Sequence, residues 1–194
     1  MKLVLKAIYG LSIILLFNAN SCASQATSEQ EDKTETSTTT SSTDNQDQTT
    51  QTASVDIPIY GAFDDLEPLF HRETDTTYVI NFWATWCKPC VEELPYFEDL
   101  HDQFKGEKLK VILVSLDFPR DFEKKLIPFV QEHQLKSDVV LLTDGDYNAW
   151  IDKVNPEWGG AIPVTLVYNA KKREFKGEQF ANYDELADMV RSLL

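Results

Sequence analysis

The stretch NFWATWCKPC, Asn81 to Cys90, sets two cysteines with two residues between them directly behind an aromatic, strand-like run. The chain of 194 residues has only one other cysteine, so this pair is a metal clip, a structural disulfide or a reactive couple. The flanks narrow the choice. Upstream, TYVINFWA (Thr77–Ala84) is β-branched and aromatic on both faces, as in a central strand covered on both sides. Downstream, Val91, Leu94, Phe97, Leu100 and Phe104 recur at spacings of three and four, which predicts a helix over Lys88–Phe104, kinked at Pro95. The pair therefore stands where a central strand hands over to a helix.

Structural zinc needs four ligands, and His71, His101 and His133 are not paired with another ligand at short spacing. No metal site is expected. A purely structural disulfide is weak as well, because closing so short a loop removes little chain entropy. Position favours reactivity. At a helix N-terminus the unpaired N–H groups and the positive end of the dipole favour thiolate over thiol at Cys87. Cys90 lies one turn further in and is more shielded, and Pro89 presets the first helical turn.

Outward from this centre the rest of the chain reads as α/β. Asp64 can cap a short helix in DLEPLFHR. KVILVSLD (Lys110–Asp117) is a second buried strand. Asp121 can cap a helix to about Gln134 with Phe122, Leu126, Phe129 and Val130 inward, followed by a strand at Asp138–Thr143 and a helix at Tyr147–Val154. Val164–Ala170 turns at Lys171-Lys172 into a last strand, and NYDELADMVRSLL closes as an amphipathic helix. The expected order is βαβαβ followed by ββα, a mixed central sheet with an antiparallel edge flanked by helices.

At FWATWCKPC the chain resembles the thioredoxin-fold family and its aromatic-Trp-Cys-x-Pro-Cys motif. Within it, the chain is most similar to the extracytoplasmic TlpA/ResA/CcmG-like thiol–disulfide oxidoreductases, which carry an extra helix and strand where Asp121–Thr143 stands. The resemblance implies a thioredoxin-like domain over 55–194, with Cys87 as the attacking thiol and Cys90 as the resolving one. It implies a cis proline at Pro163 in GAIPVT, with Ile162 offering backbone hydrogen bonds to an extended substrate. Trp86, beside the reactive thiol, is expected to line the substrate platform, and Trp83 to be core. Thioredoxins carry a buried aspartate six residues before the first cysteine; here Asn81 takes that place. The ResA-like branch has a glutamate three residues after the second cysteine, and Glu93 stands there. At 100° per residue Glu93 lies about 60° from Cys90 and Glu92 about 160° away, so Glu93 is the one that faces the cysteines.

The implied function is reduction of disulfides in exported proteins such as apocytochrome c. No cofactor is expected beyond the redox-active Cys87–Cys90 disulfide itself, and a membrane thiol donor would supply electrons. Two other readings stand beside it. A peroxiredoxin-type peroxidase would place a threonine three residues before its cysteine, whereas Thr85 is two before Cys87. A redox-silent binding or chaperone module would not need both cysteines. A monomer is expected.

The N-terminus sets the location. Lys2 and Lys6 precede an apolar run from Ala7 to Phe17, about half the length of a spanning helix, which reads as a secretory signal. It ends in NANSC, resembling the lipobox of bacterial lipoproteins, with Cys22 the lipidated residue; cleavage near Ser21 or a retained anchor are the alternatives. Residues 23–54 are rich in Thr, Ser, Gln and acids and expected to be a disordered tether, with coil dimensions of roughly 30 Å. The expected setting is the periplasm or cell envelope, with a lipid anchor. A net charge of −14, more negative once the lysine-bearing signal is removed, argues against nucleic acid as a partner. Cys22→Ser is expected to move the protein from the membrane fraction to a soluble or uncleaved pool. Fractionation and intact mass decide it, and a wild type already soluble without acyl mass contradicts the lipid anchor.

Overall fold

The computed structural model describes residues 55–194; the signal segment, Cys22 and the 23–54 stretch lie outside the described residues. β2 (Thr77–Trp83) and β3 (Leu109–Ser115) form the centre of a six-stranded sheet. β4 (Asp138–Leu142) extends it beyond β3, and β1 (Ile59–Tyr60) is the edge. On the other side β5 (Val164–Tyr168) and β6 (Arg173–Lys176) complete the order β1-β4-β3-β2-β5-β6. The first four strands are mutually parallel, and β5 and β6 run antiparallel to their neighbours, the mixed sheet that the pattern predicts.

Strand periodicity divides the core in two. Val79, Trp83, Val111, Leu113, Leu141 and Val167 face α2 (Lys88–Gln103), α3 (Ile127–Glu132) and α5 (Tyr183–Arg191). Tyr78, Ile80, Phe82, Ile112, Val114, Leu142 and Leu166 face α1 (Phe63–Leu66), which continues as a 3-10 turn to Phe70, and α4 (Tyr147–Val154). The second layer is aromatic: Trp150 stacks on Phe63 at 5.1 Å between centroids, and Trp158 meets Phe82 at 4.7 Å. Every residue of β2 is buried, as its two-sided apolar sequence requires.

Several local expectations are corrected. Asp64 does not cap the first helix; Ala62 holds the cap position, and the Phe63 N–H donates to the distant Asp144 carboxylate at 2.9 Å. Asp121 makes no side-chain cap either, and its carboxylate accepts from Lys125 at 3.1 Å. The segment after it is not one α-helix but a 3-10 turn (Pro119–Asp121), a π-helical stretch (Phe122–Leu126) and then α3. Pro128 gives a reason: it has no N–H for the carbonyl one turn back, and the Ile127 N–H instead reaches Phe122 in the wider π pattern. Pro95, by contrast, sits inside α2 without ending it. β1 went unpredicted because two residues carry no periodicity; it exists through pairing with β4, where Leu141 N–H donates to Pro58 and Thr143 N–H to Tyr60, both at 2.9 Å.

Packing and surface charge should differ sharply in what they contribute. Leu113→Ala, at a fully buried position of β3, is expected to cost about 2–5 kcal/mol. Lys153→Ala removes ion pairs to Asp64 and Glu67 but should change stability little, because the lysine and Asp64 are well exposed. Urea unfolding of the purified protein checks both.

Candidate active site

The site begins at the turn out of β2. Cys87 is the N-cap of α2, in extended conformation, and its sulfur takes the place of a capping oxygen by accepting the Cys90 N–H at 3.4 Å. Its backbone is tied on both sides, N–H to Ala84 and carbonyl from Val91, each at 3.0 Å. Pro89 stands in the first turn of α2, where its missing N–H leaves no broken bond. Cys87 and Cys90 form a disulfide with Cα atoms 5.3 Å apart. Cys87 is less open than the sequence suggests, with 6% of its surface exposed, and Cys90 has none. Solvent and partners therefore meet this pair only at Cys87.

Across from the pair lies the loop before β5. The Ile162–Pro163 peptide is cis, and the Ile162 carbonyl oxygen stands 3.7 Å from Cys87 Sγ. The disulfide sulfur has no proton to donate to it; a reduced Cys87 thiol would. The loop is held from below by Trp158, whose indole N–H donates to the Ala161 carbonyl at 2.7 Å while its ring is buried against Phe82 and Trp150. The spacing of Trp158 in the sequence carries no signal for this anchoring role.

Glu93 is fully buried on the face of α2 that meets the sheet, whereas Glu92 is exposed and pairs with Lys88 at 3.6 Å. The Glu93 carboxyl accepts Asn81 Nδ2 at 3.0 Å and the Phe180 N–H at 2.9 Å, and makes no ion pair among the described residues. Asn81 lies on the α2 side of β2, and its amide also approaches Thr165 Oγ1 at 3.0 Å on the paired strand. Burial pushes the Glu93 pKa up to about 7, against the opposing pull of the two hydrogen bonds. Asn81 Oδ1 is buried without a partner among the described residues. A carboxyl poised near neutrality, one turn along the helix from Cys90, can hold or release a proton in the buried layer between β2 and α2. The Phe180 N–H could not be read from sequence, since it arrives from 87 residues away.

A second polar knot fixes the loop that carries Trp86. Asp117, buried just past β3, accepts the Thr85 N–H at 3.0 Å and the Thr85 hydroxyl at 2.6 Å. The Ser115 hydroxyl donates to the same carboxylate at 2.8 Å. The residues that follow the two knotted positions, Trp86 and Phe118, stack at 6.2 Å between centroids, and both are about half exposed. Trp83, one turn back, is core as expected and packs on Phe129. Among the described residues no group of three or more His, Cys, Asp or Glu side chains could hold a metal, and no helix is long and apolar enough to cross a membrane.

A crystal structure of a DsbF homologue from Corynebacterium diphtheriae matches with TM-score 0.50 and 21% identity over 62% of this chain and 73% of that one. A thioredoxin-related protein from Neisseria meningitidis serogroup B matches with TM-score 0.50 and 22% identity over 61% of this chain and 85% of that one. These likenesses show a thioredoxin-like fold. Among curated relatives, the thiol-disulfide oxidoreductase ResA of Bacillus thuringiensis subsp. konkukian is 31% identical over 105 residues, 52% of this chain and 54% of that protein. The thioredoxin-like protein YneN of Bacillus subtilis (strain 168) is 36% identical over 73 residues, 36% of this chain and 42% of that protein. The chain thus spans about half the length, or less, of these curated relatives. The AhpC/TSA family model matches residues 70–173, more than half of the 194 residues and all of the site from β2 to the cis-proline loop, and the chain belongs to that family.

Proposed function

We propose that this protein is a thiol–disulfide oxidoreductase, tethered outside the cytoplasm through Cys22, that reduces disulfides of exported proteins, apocytochrome c among them. The observation that carries the reading is the Cys87–Cys90 disulfide at the N-terminus of α2, facing the cis Ile162–Pro163 peptide. The names of the curated relatives support the same chemistry. In the reducing direction the Cys87 thiolate attacks one sulfur of a substrate disulfide, making a mixed disulfide and releasing the other substrate sulfur as a thiolate. The Cys90 thiolate then attacks Cys87 Sγ, closing the Cys87–Cys90 disulfide and freeing the second substrate thiol. Two electrons have passed to the substrate, and a membrane dithiol donor returns them. Only this disulfide is needed as a redox group, and a single chain holds the whole site.

The parts of the site fit these steps. The Cys90 N–H and the helix end stabilise negative charge on Cys87. The loop at Ile162 is suited to pair with an extended substrate backbone, and Trp86 to cover its side chains. Glu93 is suited to take the proton that Cys90 must lose before it attacks. A peroxidase reading gains nothing from Thr85, whose hydroxyl is engaged by Asp117.

Disulfide exchange should vanish in Cys87→Ser. Cys90→Ser should accumulate a mixed disulfide with substrate, visible on non-reducing gels. Trapping through Cys90 in the Cys87→Ser variant would reverse the two roles.

Glu93 makes a separate pH prediction. The unfolded chain releases this proton near 4.5, the folded protein near 7, so this carboxyl lowers stability as pH rises through that window, by up to roughly 3 kcal/mol. Glu93→Gln should remove that loss and also the inflection near pH 7 in the rate of Cys90-dependent exchange. Urea midpoints and exchange rates from about pH 5 to 9 measure both; profiles that superimpose on wild type would leave Glu93 a structural residue only.

A further inference from the structure

Beyond the cysteines and the cis-proline loop, the segment after β3 carries chemistry that the mechanism above does not use. Phe118 is 46% exposed and Trp86 53% exposed, two of the few large apolar side chains left in water among the described residues. They stand together, stacked at 24° between ring planes, and Trp86 immediately precedes Cys87. The Arg120 guanidinium lies 4.8 Å from the centre of the Phe118 ring. Two nearby lysines are paired, Lys88 with Glu92 and Lys125 with Asp121. Arg120 is exposed and makes no ion pair among the described residues.

This surface is held in place. The two Thr85–Asp117 hydrogen bonds join the residues just before Trp86 and Phe118, and the Leu116 N–H donates to the Trp83 carbonyl at 2.8 Å, carrying the β2–β3 pairing up to the knot. Ordering two aromatic rings before binding lowers the entropy lost when a partner docks. Tryptophan and arginine in such settings are the residue types that dominate binding energy at protein interfaces. An arginine resting on a ring keeps its N–H edges free for a carboxylate, which they match as a planar fork. In a chain of net charge −14 most of the surface repels acidic segments, so an arginine without an ion pair, resting on the Phe118 ring that stacks on Trp86, is a local exception.

We propose that Trp86, Phe118 and Arg120 form a specificity surface that selects protein segments carrying an aromatic residue and an acidic residue beside the cysteine to be reduced. The proposal rests on the oxidoreductase reading, and it adds a selection among the exported proteins that reading names.

The test compares three disulfides with the purified full-length protein in its reduced form. One is 2-hydroxyethyl disulfide, which has no side chain to recognise. The others are two peptides of equal length in mixed disulfide with a reporter thiol, one with Phe and Asp flanking the cysteine, the other with Phe and Lys. Each peptide kcat/KM is divided by that for the small disulfide, so a general loss of folding or thiol reactivity cancels. Wild type should favour the Asp peptide over the Lys peptide by about tenfold, the size of a charge-assisted contact. Arg120→Glu should invert that preference. Phe118→Ser should lower both peptide ratios by about fivefold or more, as loss of an aromatic anchor does. Ratios unchanged in both variants, with the small disulfide still reduced, would overturn the specificity surface and leave the oxidoreductase reading standing. No reaction of wild type with any of the three would overturn both.

Discussion

A helix that begins at a sulfur atom is the constraint on which the rest of this structure depends. The first N–H groups of α2 have no helical carbonyl to meet, and one of them is satisfied by Cys87 Sγ. For that to happen the chain must leave β2, turn within a few residues and enter the helix with Cys87 extended. Each support of the turn has its own source. The Cys87 N–H returns to Ala84, and Thr85 is clasped by the Asp117 carboxylate from the end of β3. The strand itself cannot shift, because both its faces are buried in apolar layers and a one-residue slip would exchange them.

The interior behind the cysteines is less uniform than that packing implies. Asn81 and Glu93 put an amide and a carboxyl between β2 and α2, in a layer made mostly of hydrocarbon. Unpartnered polar groups there would be costly, and the partners come from separate parts of the chain: β5 supplies Thr165, and the loop before α5 supplies the Phe180 N–H. The same loop reaches α2 a second time, where Gln179 Nε2 donates to the Pro89 carbonyl at 2.9 Å. The C-terminal part of the fold is thereby bonded to the first turn of the helix that bears the disulfide. The protonation state of Glu93 and the seating of that loop are linked, since the N–H bond is strongest to a carboxylate.

The surface shows the opposite economy. Ion pairs are numerous, yet most join exposed side chains and steady the fold little. Charge and aromatic area matter more where they are unmatched and fixed, and that combination occurs where Arg120 rests on Phe118 and Phe118 on Trp86.

What the sequence determined by itself is whatever local periodicity and chain stiffness encode. Two-sided apolar runs marked β2 and β3 as central, a spacing of three from Cys90 turned Glu93 inward, and the cysteines fell at the strand–helix junction. The late antiparallel strands were legible from their tight turn, and cis Pro163 came only through resemblance to a family. Tertiary structure alone decided which distant groups meet. Asp144 caps a helix 81 residues away, Asp117 binds Thr85 across 32, and Phe180 reaches Glu93 across 87. Phe118 became a neighbour of Trp86 by the same route. A hydrogen-bonding side chain carries no periodic mark of its partner; strand order and register choose it, and those follow from how the two faces of the whole sheet are covered.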